Sequence, residues 1–369
     1  MSEQFIPEKY KVSISEGSVC WQAPSNIALI KYWGKKEIQI PRNPSLSFTL
    51  SACATRTSVH FSERKDRSSG YSIDFYFEGA KKEEFLPKIH TFFDRAEPYL
   101  PFLKSYHFEI RSENTFPHSS GIASSASSMA AMAICFVDIE RQLLELPDEA
   151  LDLKKASFIA RLGSGSACRS LDGKIVEWGR HEDTPGSSDL YGISWELNAH
   201  EIFTSYHDTI LLIDKGEKQV SSTVGHGLME DHAYAEKRFN QAHDHLSQLQ
   251  QAMSTGDLDQ FVTLVELEAL TLHAMMLTSK PSFILMKPNT LEVIRKLQSF
   301  RESSGLHPCF TLDAGANVHI LYPENEREQV YQFIKNELVD YCENGGYICD
   351  MVGDGAKKIS AVASKTLVK

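Results

Sequence analysis

The chain has 369 residues, 42% hydrophobic and 24% charged, with a formal net charge of −11. That composition is globular, and the length exceeds one ordinary core, so two domains or one two-lobed unit is expected. The negative balance argues against a general nucleic-acid or anionic-membrane binder, and an anionic small substrate would need a local positive island.

In chain order, the N-terminal stretch MSEQFIPEKYKVSISEG is polar and lacks the apolar core of a signal segment. From about 10 to 110 the texture is β-rich: YKVSISEGSVCWQA, PSLSFTLSACATRTSVHFS and YSIDFYFEG carry β-branched and aromatic residues in partial alternation. A short helix is expected over 88–96, a long one over 122–145 and a third over 148–162, stopped at Gly163. The Gly-, Ser- and Asp-rich stretch 179–192 suits a lobe boundary. HDTILLIDKG then reads as a strand, followed by charged helices over 229–253 and 257–277 and a helix from Asn289 or Thr290 to Gly305. CFTLDAGANVHILYP reads as strand, turn and strand, NEREQVYQFIKNEL as a helix, and GYICDMVGDG as a strand and turn. The plan is α+β with antiparallel character. No window approaches 18 uninterrupted apolar residues, so no membrane span is expected. The seven cysteines are scattered without a Cys-x-x-Cys pair, as in a reducing compartment, and a cytoplasmic protein is the default.

Four stretches carry candidate chemistry. In APSNIALIKYWGKK an apolar run opens onto Lys31, Tyr32, Trp33, Gly34, Lys35 and Lys36, either a solvated strand end or a pocket for something strongly negative. In PHSSGIASSASSMAAMA, small residues lead into the long helix, whose unpaired amides and positive dipole end suit phosphate. The residues alone also allow a small-residue helix packed on a neighbour. In RLGSGSACRSLDG, Arg169 falls on the side of Gly165 and Ser166, where a guanidinium can clamp a carboxylate or phosphate, or simply cover a helix corner. In TLDAGANVH, Asp313 stands unshielded at a strand end, as a catalytic acid or as an ordinary turn residue. QVSSTVGHG adds three hydroxyls before a glycine, also readable as a helix cap. No Walker-type loop, Gly-x-Ser-x-Gly elbow or dinucleotide fingerprint occurs, and His207-Asp208 and His243-Asp244 lack the partners of a metal site.

Taken in order, APSNIALIKYWGKK, PSLSFTLS, FPHSSGIASSASS, SGSACRSLDG, VSSTVG and TLDAGANVHILY resemble the diphosphomevalonate decarboxylases. That family belongs to the small-molecule (GHMP-type) kinase superfamily of galactokinase, homoserine kinase, mevalonate kinase and phosphomevalonate kinase. The resemblance implies an α+β two-lobed fold. Its N-terminal lobe (1–190) is ribosomal-protein-S5-like and its C-terminal lobe (191–369) ferredoxin-like, with the site in the cleft. It implies ATP- and Mg²⁺-dependent phosphorylation of the 3-hydroxyl of 5-diphosphomevalonate, then loss of phosphate and carbon dioxide to give isopentenyl diphosphate, in a homodimer.

By matching position, Asp313, Lys31 and Arg169 are the catalytic set. Tyr32, Trp33, Gly34, Lys35, Ser164, Gly165, Ser166, Ala167, Cys168, Ser222 and Thr223 surround the substrate. Ser119, Ser120, Gly121, Ile122, Ala123, Ser124 and Ser125 form the ATP loop, with Ser124 the candidate Mg²⁺ contact. The chain departs from the family pattern at His118-Ser119, at Pro44 and Ala316, and at Gly79-Ala80-Lys81-Lys82, where relatives often place an arginine near the diphosphate. The rival expectations are a 5-phosphomevalonate decarboxylase, a mevalonate-type kinase and a non-catalytic binding member.

Overall fold

The alternating stretches near the N-terminus become two long strands, β1 (Glu16–Ile30) and β2 (Ser45–Glu63), paired antiparallel. Two register shifts interrupt the pairing, between Pro24 and Asn26 and between Ala28 and Ile30. Proline has no ladder donor and suits a bulge, and the extra residues turn this end of β1 toward a second sheet. The computed structural model describes residues 2–65, 70–117, 122, 124–216 and 222–360. Ser119, Ser120, Gly121 and Ala123 lie outside the described residues, as does Ser221.

The first sheet continues with β3 (Ser72–Phe77) and β4 (Tyr106–Asn114), which run parallel to each other. Its order is Lys357–Lys358, β1, β2, β4, β3, Ala80–Lys81. A short strand, β5 (Ile175–Trp178), pairs with the start of β2 and carries Gly192–Ser194 on its other side. Helices α1 (Leu86–Ala96), α2 (Ser124–Leu143) and α3 (Leu153–Gly163) pack on this sheet through an apolar core that includes Phe61, Phe93, Phe108, Phe136 and Phe158. Helix α2 is buried almost all round, which its run of Ala, Ser and Met permits because small side chains let neighbours approach closely.

The second sheet holds β6 (His207–Leu211), β7 (Cys309–Thr311), β8 (Val318–Tyr322) and β9 (Tyr347–Met351) in the antiparallel order β7, β8, β6, β9. Around it lie α4 (Ser222–Gly227), α5 (Ala235–Thr255), α6 (Leu258–Thr278), α7 (Pro288–Ser304) and α8 (Arg327–Phe333). Gly256 and Gly305, at φ 78° and 68°, end α5 and α7 in the left-handed conformation.

The lobes share a core: Ile27, Leu29, Leu46 and Phe48 of the first sheet pack with Phe203, Tyr206, Leu246 and Phe261. The Asp350 carboxylate of β9 also accepts hydrogen bonds from the amides of Ser51, Ala52 and Cys53 in β2. The division at 190 is therefore not clean. Gly192–Ser194 still belongs to the first sheet, and Lys357–Lys358 returns to its outer edge on β1.

Most expected elements are present, with three differences. Helix α3 starts at Leu153, not near 148, because Asp152 caps it by accepting from the Lys155 amide at 2.8 Å. Helix α5 starts at Ala235, not 229. The helix expected over 325–338 narrows to α8 and widens into a π turn over Ile334–Leu338. Helix α6 is long and apolar enough to cross a membrane, yet most of its apolar surface is buried in the fold. It also buries Glu266, held by Arg301, and Glu268.

Glu177 of β5 is buried against α5, where Gln250 Nε2 donates to it at 2.8 Å. Burial pushes its carboxyl up to about 7, against the partial offset of bonds from Thr184 and Gln250. The folded state therefore holds a proton that the unfolded chain has released, and stability falls as pH rises from about 4.3 through 7. Glu177→Gln is expected to remove this dependence and raise stability at pH 8 by roughly 3 kcal/mol, measured by urea unfolding at pH 5 and pH 8.

Candidate active site

Three backbone endings meet at the seam between the sheets. Strand β1 delivers Lys31, strand β7 delivers Asp313 two residues after its end, and a 3₁₀ turn after α3, Gly165–Arg169, delivers Arg169. Lys31 Nζ lies 3.3 Å from Asp313 Oδ1, with the lysine 2% and the aspartate side chain 32% exposed. The ammonium is inside and the carboxylate faces the cleft. Burial pulls the Lys31 ammonium below its ordinary range, and Asp313 opposes that pull.

Lys31 is fixed at its backbone too. Its amide donates to Glu268 Oε2 at 2.9 Å, and its carbonyl accepts from Asn43 Nδ2 at 3.0 Å and from Arg238 at 3.3 Å. Glu268 takes both arms of Arg238, at 2.9 and 2.6 Å, and a bond from His245 Nδ1 at 2.6 Å. His273 Nε2 donates to the Asp313 carbonyl at 3.1 Å; burial pulls this ring down to about 4, so it is neutral and holds the backbone without adding charge.

Arg169 is 3% exposed. Its donors meet neutral oxygens, Ser45 Oγ and Asn26 Oδ1, and its guanidinium lies 5.9 Å from the Trp178 ring centroid. Asn26 is oriented in turn by Ser170 Oγ at 2.8 Å and the Ser166 carbonyl at 3.1 Å. Among the described residues, no carboxylate lies within ion-pair distance of Arg169, Lys35 or Arg95. A buried guanidinium without a counter-anion is costly, and a bound anion relieves that cost.

The remaining expected residues divide. Tyr32 is buried with its ring edge-on to Trp178 at 4.7 Å, and its hydroxyl has no hydrogen-bond partner among the described residues. Gly165 is needed beneath it, since a Cβ there would lie 2.9 Å from Tyr32 Oη. Ser164 and Ser166 are half-buried on the same turn, and Lys35 is half-buried near Gln39. Trp33, Ala167 and Cys168 are not cleft-facing side chains. Trp33 packs among Met229, Phe239 and Met275, Ala167 is fully buried, and Cys168 Sγ donates to the Gly165 carbonyl at 3.0 Å. Burial pushes the Cys168 thiol up to about 12, which leaves it unreactive. Gly34 acts through shape: its φ is 99° and a Cβ would lie 2.8 Å from Phe239.

Ser124 and Ser125 open α2, where the first helical amides suit phosphate, and Ile122 anchors the approach by accepting from Ser25 Oγ at 2.8 Å. Ser222 and Thr223 begin α4. Lys81 and Lys82, at the family's arginine position, pair with Asp74 and Glu84 on the far edge of the first sheet. Arg95, bonded to the Leu162 carbonyl at 2.9 Å, instead places its charge near Lys35.

Sequence reasoning missed the supports: Asn26, Asn43, Ser45, Arg95, His226, Arg238, His245 and Glu268. Arg238 and His245 had a signal, because they fall in phase with Ala235, Phe239, Ala242 and Leu246 on the buried face of α5. Burial alone pushes the Glu268 carboxyl up, but Arg238, His245 and the Lys31 amide outweigh it and hold it below the usual range. Its stabilisation is present at neutral pH and is lost on acidification below about pH 4. Glu268→Ala, which leaves Arg238 buried without a counter-charge, is expected to cost about 3–5 kcal/mol at pH 7 in denaturant unfolding.

Residues 23–190 match the family described as "Diphosphomevalonate decarboxylase-like N-terminal domain", and residues 209–363 match "Mevalonate 5-diphosphate decarboxylase C-terminal domain". A diphosphomevalonate decarboxylase of Gibberella zeae is 32% identical over 321 residues, covering 83% of this chain and 81% of the relative. The crystal structure of mevalonate diphosphate decarboxylase from Staphylococcus aureus aligns with a TM-score of 0.79 at 29% identity, covering 94% of this chain and 98% of that one. A solved structure described as "MDDEF in complex with MVAPP, AMPPCP and Magnesium" aligns with a TM-score of 0.78 at 28% identity, covering 94% and 99%. The two matched regions cover almost the whole chain, which belongs to the diphosphomevalonate decarboxylase family.

Proposed function

We propose that this chain catalyses the ATP-dependent decarboxylation of 5-diphosphomevalonate to isopentenyl diphosphate by way of 3-phosphorylation. The observation that carries the reading is the pair of buried cations at the cleft, Lys31 beside Asp313 and Arg169 with only neutral partners. A substrate with a carboxylate at one end and a diphosphate at the other supplies the missing negative charge. Arg169 holds the carboxylate with its remaining donors, directed by Asn26 and Ser45. Lys35, Arg95, Ser164 and Ser166 serve the diphosphate. Asp313 faces the 3-hydroxyl, orients it and accepts its proton, with Lys31 fixing the carboxylate. Once Asp313 has released that proton to solvent and the 3-phosphate departs, its carboxylate stabilises positive charge at C3 while Arg169 keeps the leaving carboxylate in line.

ATP supplies the phosphoryl group and Mg²⁺ neutralises its charge. The residues fit that pair: the first turn of α2, with Ser124 and Ser125, offers unpaired amides and hydroxyls to phosphate oxygens. Among the described residues no group of three or more His, Cys, Asp or Glu is arranged to hold a metal. Mg²⁺ is accordingly assigned to the nucleotide phosphates, with Ser124 the nearest side-chain candidate.

The test follows carbon dioxide and ADP together from carboxyl-labelled 5-diphosphomevalonate, with 5-phosphomevalonate and mevalonate in parallel. Equal release of both products from the diphosphate alone is expected. Equal release from the monophosphate moves the substrate to 5-phosphomevalonate, and ADP without carbon dioxide makes the chain a kinase. Asp313→Asn is expected to lower turnover by about 10³-fold with ATP affinity within about twofold, checked by the same assay and by nucleotide titration. Near-normal turnover in that variant removes the proposed role.

A further inference from the structure

His226 stands against the Lys31–Lys35 turn and the reaction scheme does not use it. Its ring is sandwiched between Tyr32 and Trp33, with centroids 4.2 and 4.8 Å away. Its Nδ1 lies 3.0 Å from the Gly34 amide. An amide only donates, so Nδ1 is the acceptor and the ring proton sits on Nε2. The Gly34 bond matters because Gly34, at φ 99°, leads directly into Lys35, and the Arg42 amide holds its carbonyl from the other side at 3.3 Å. Gly225 beside the ring is also required, since a Cβ there would lie 2.6 Å from the Trp33 indole. Helix α4 and the Lys31–Lys35 turn are therefore joined through one imidazole.

Nε2 has no hydrogen-bond partner among the described residues, and it is absent from the fully enclosed unpaired atoms, which include Tyr32 Oη and Trp33 Nε1. Burial, then the charges of Lys35 and Arg169, pull the ring down to about 3, so it is neutral at any working pH and both cations are within its electrostatic reach. A neutral donor near two cations adds a directional bond to an anion without adding repulsion.

Resting on the functional reading above, we propose that His226 is a positioning residue for the diphosphate end of the substrate: Nδ1 fixes the turn that carries Lys35, and Nε2–H donates to a phosphate oxygen.

The experiment separates the two nitrogens. Asn at 226 places an acceptor near Nδ1 and nothing at Nε2; Gln reaches the Nε2 position. His226→Asn is expected to raise KM for 5-diphosphomevalonate about tenfold, with KM for ATP within about twofold. His226→Gln is expected to restore much of the substrate KM, a rescue that a purely structural role would not give. In wild-type protein, the Nε2–H signal in a long-range proton–nitrogen spectrum, identified by its loss in His226→Asn or His226→Gln, is expected to shift when 5-diphosphomevalonate is added without ATP. A wild-type-like KM in folded His226→Asn overturns the inference, and so does an unmoved Nε2–H signal, which decides the matter even where a variant does not fold. Wild-type protein that releases no carbon dioxide from this substrate overturns the functional reading itself, a result distinguishable from either.

Discussion

Lys31 is the residue on which the cleft depends, because it is held at every polar group it has. Its amide goes to Glu268, its carbonyl to Asn43 and Arg238, and its ammonium to Asp313. The three backbone partners come from the loop before β2, from α5 and from α6, and the side-chain partner comes from the turn after β7. A residue tied to four elements cannot shift without moving the lobes, so the Lys31–Asp313 distance is set by the fold rather than by two flexible side chains. Helix α6 packs against both β1 and β7 and is the brace on which the two strand ends are aligned.

The charge arrangement follows a consistent rule. Glu268 neutralises Arg238 completely, so that pair serves architecture. Arg161 spends its donors on the carbonyls of Leu190 and Ile38, again architecture. Arg169 is held by Asn26 and Ser45, which fix its direction and leave its charge intact. His273 and His226 contribute hydrogen bonds as neutral rings. A chain of net charge −11 thus contains a small positive interior whose direction is fixed before any ligand arrives. Folding carries the cost of burying Arg169, and the bound anion offsets it.

The sequence revealed the chemistry better than its supports, for a physical reason. Lys31, Arg169 and Asp313 stand at strand or helix ends within three residues of Gly, Ser or Ala, where a local motif is visible. Arg238, His245 and Glu268 sit within long helices that carry many other polar and charged residues, and only their phase on the buried face marks them. Trp33 and Cys168 show the opposite error. They lie inside matching motifs, yet their side chains turn into the core, because a motif records which positions are constrained and not whether substrate or packing constrains them. The start of α3 and the π turn after α8 depended on one capping carboxylate and on tertiary packing, and periodicity resolves neither.

The return of Lys357–Lys358 to β1 changes what the two lobes are. The chain leaves the first sheet after Ser194, builds the second, and comes back to the outer edge of the first. The second lobe is therefore tied to the first at both of its ends. A hybrid joined near residue 190 would set β1 and the shared core against an edge strand and apolar residues drawn from another relative. In such a topology the halves cannot be exchanged between relatives like beads on a string. A change at the outer edge of the first sheet, as at residues 79–82, leaves that joint untouched.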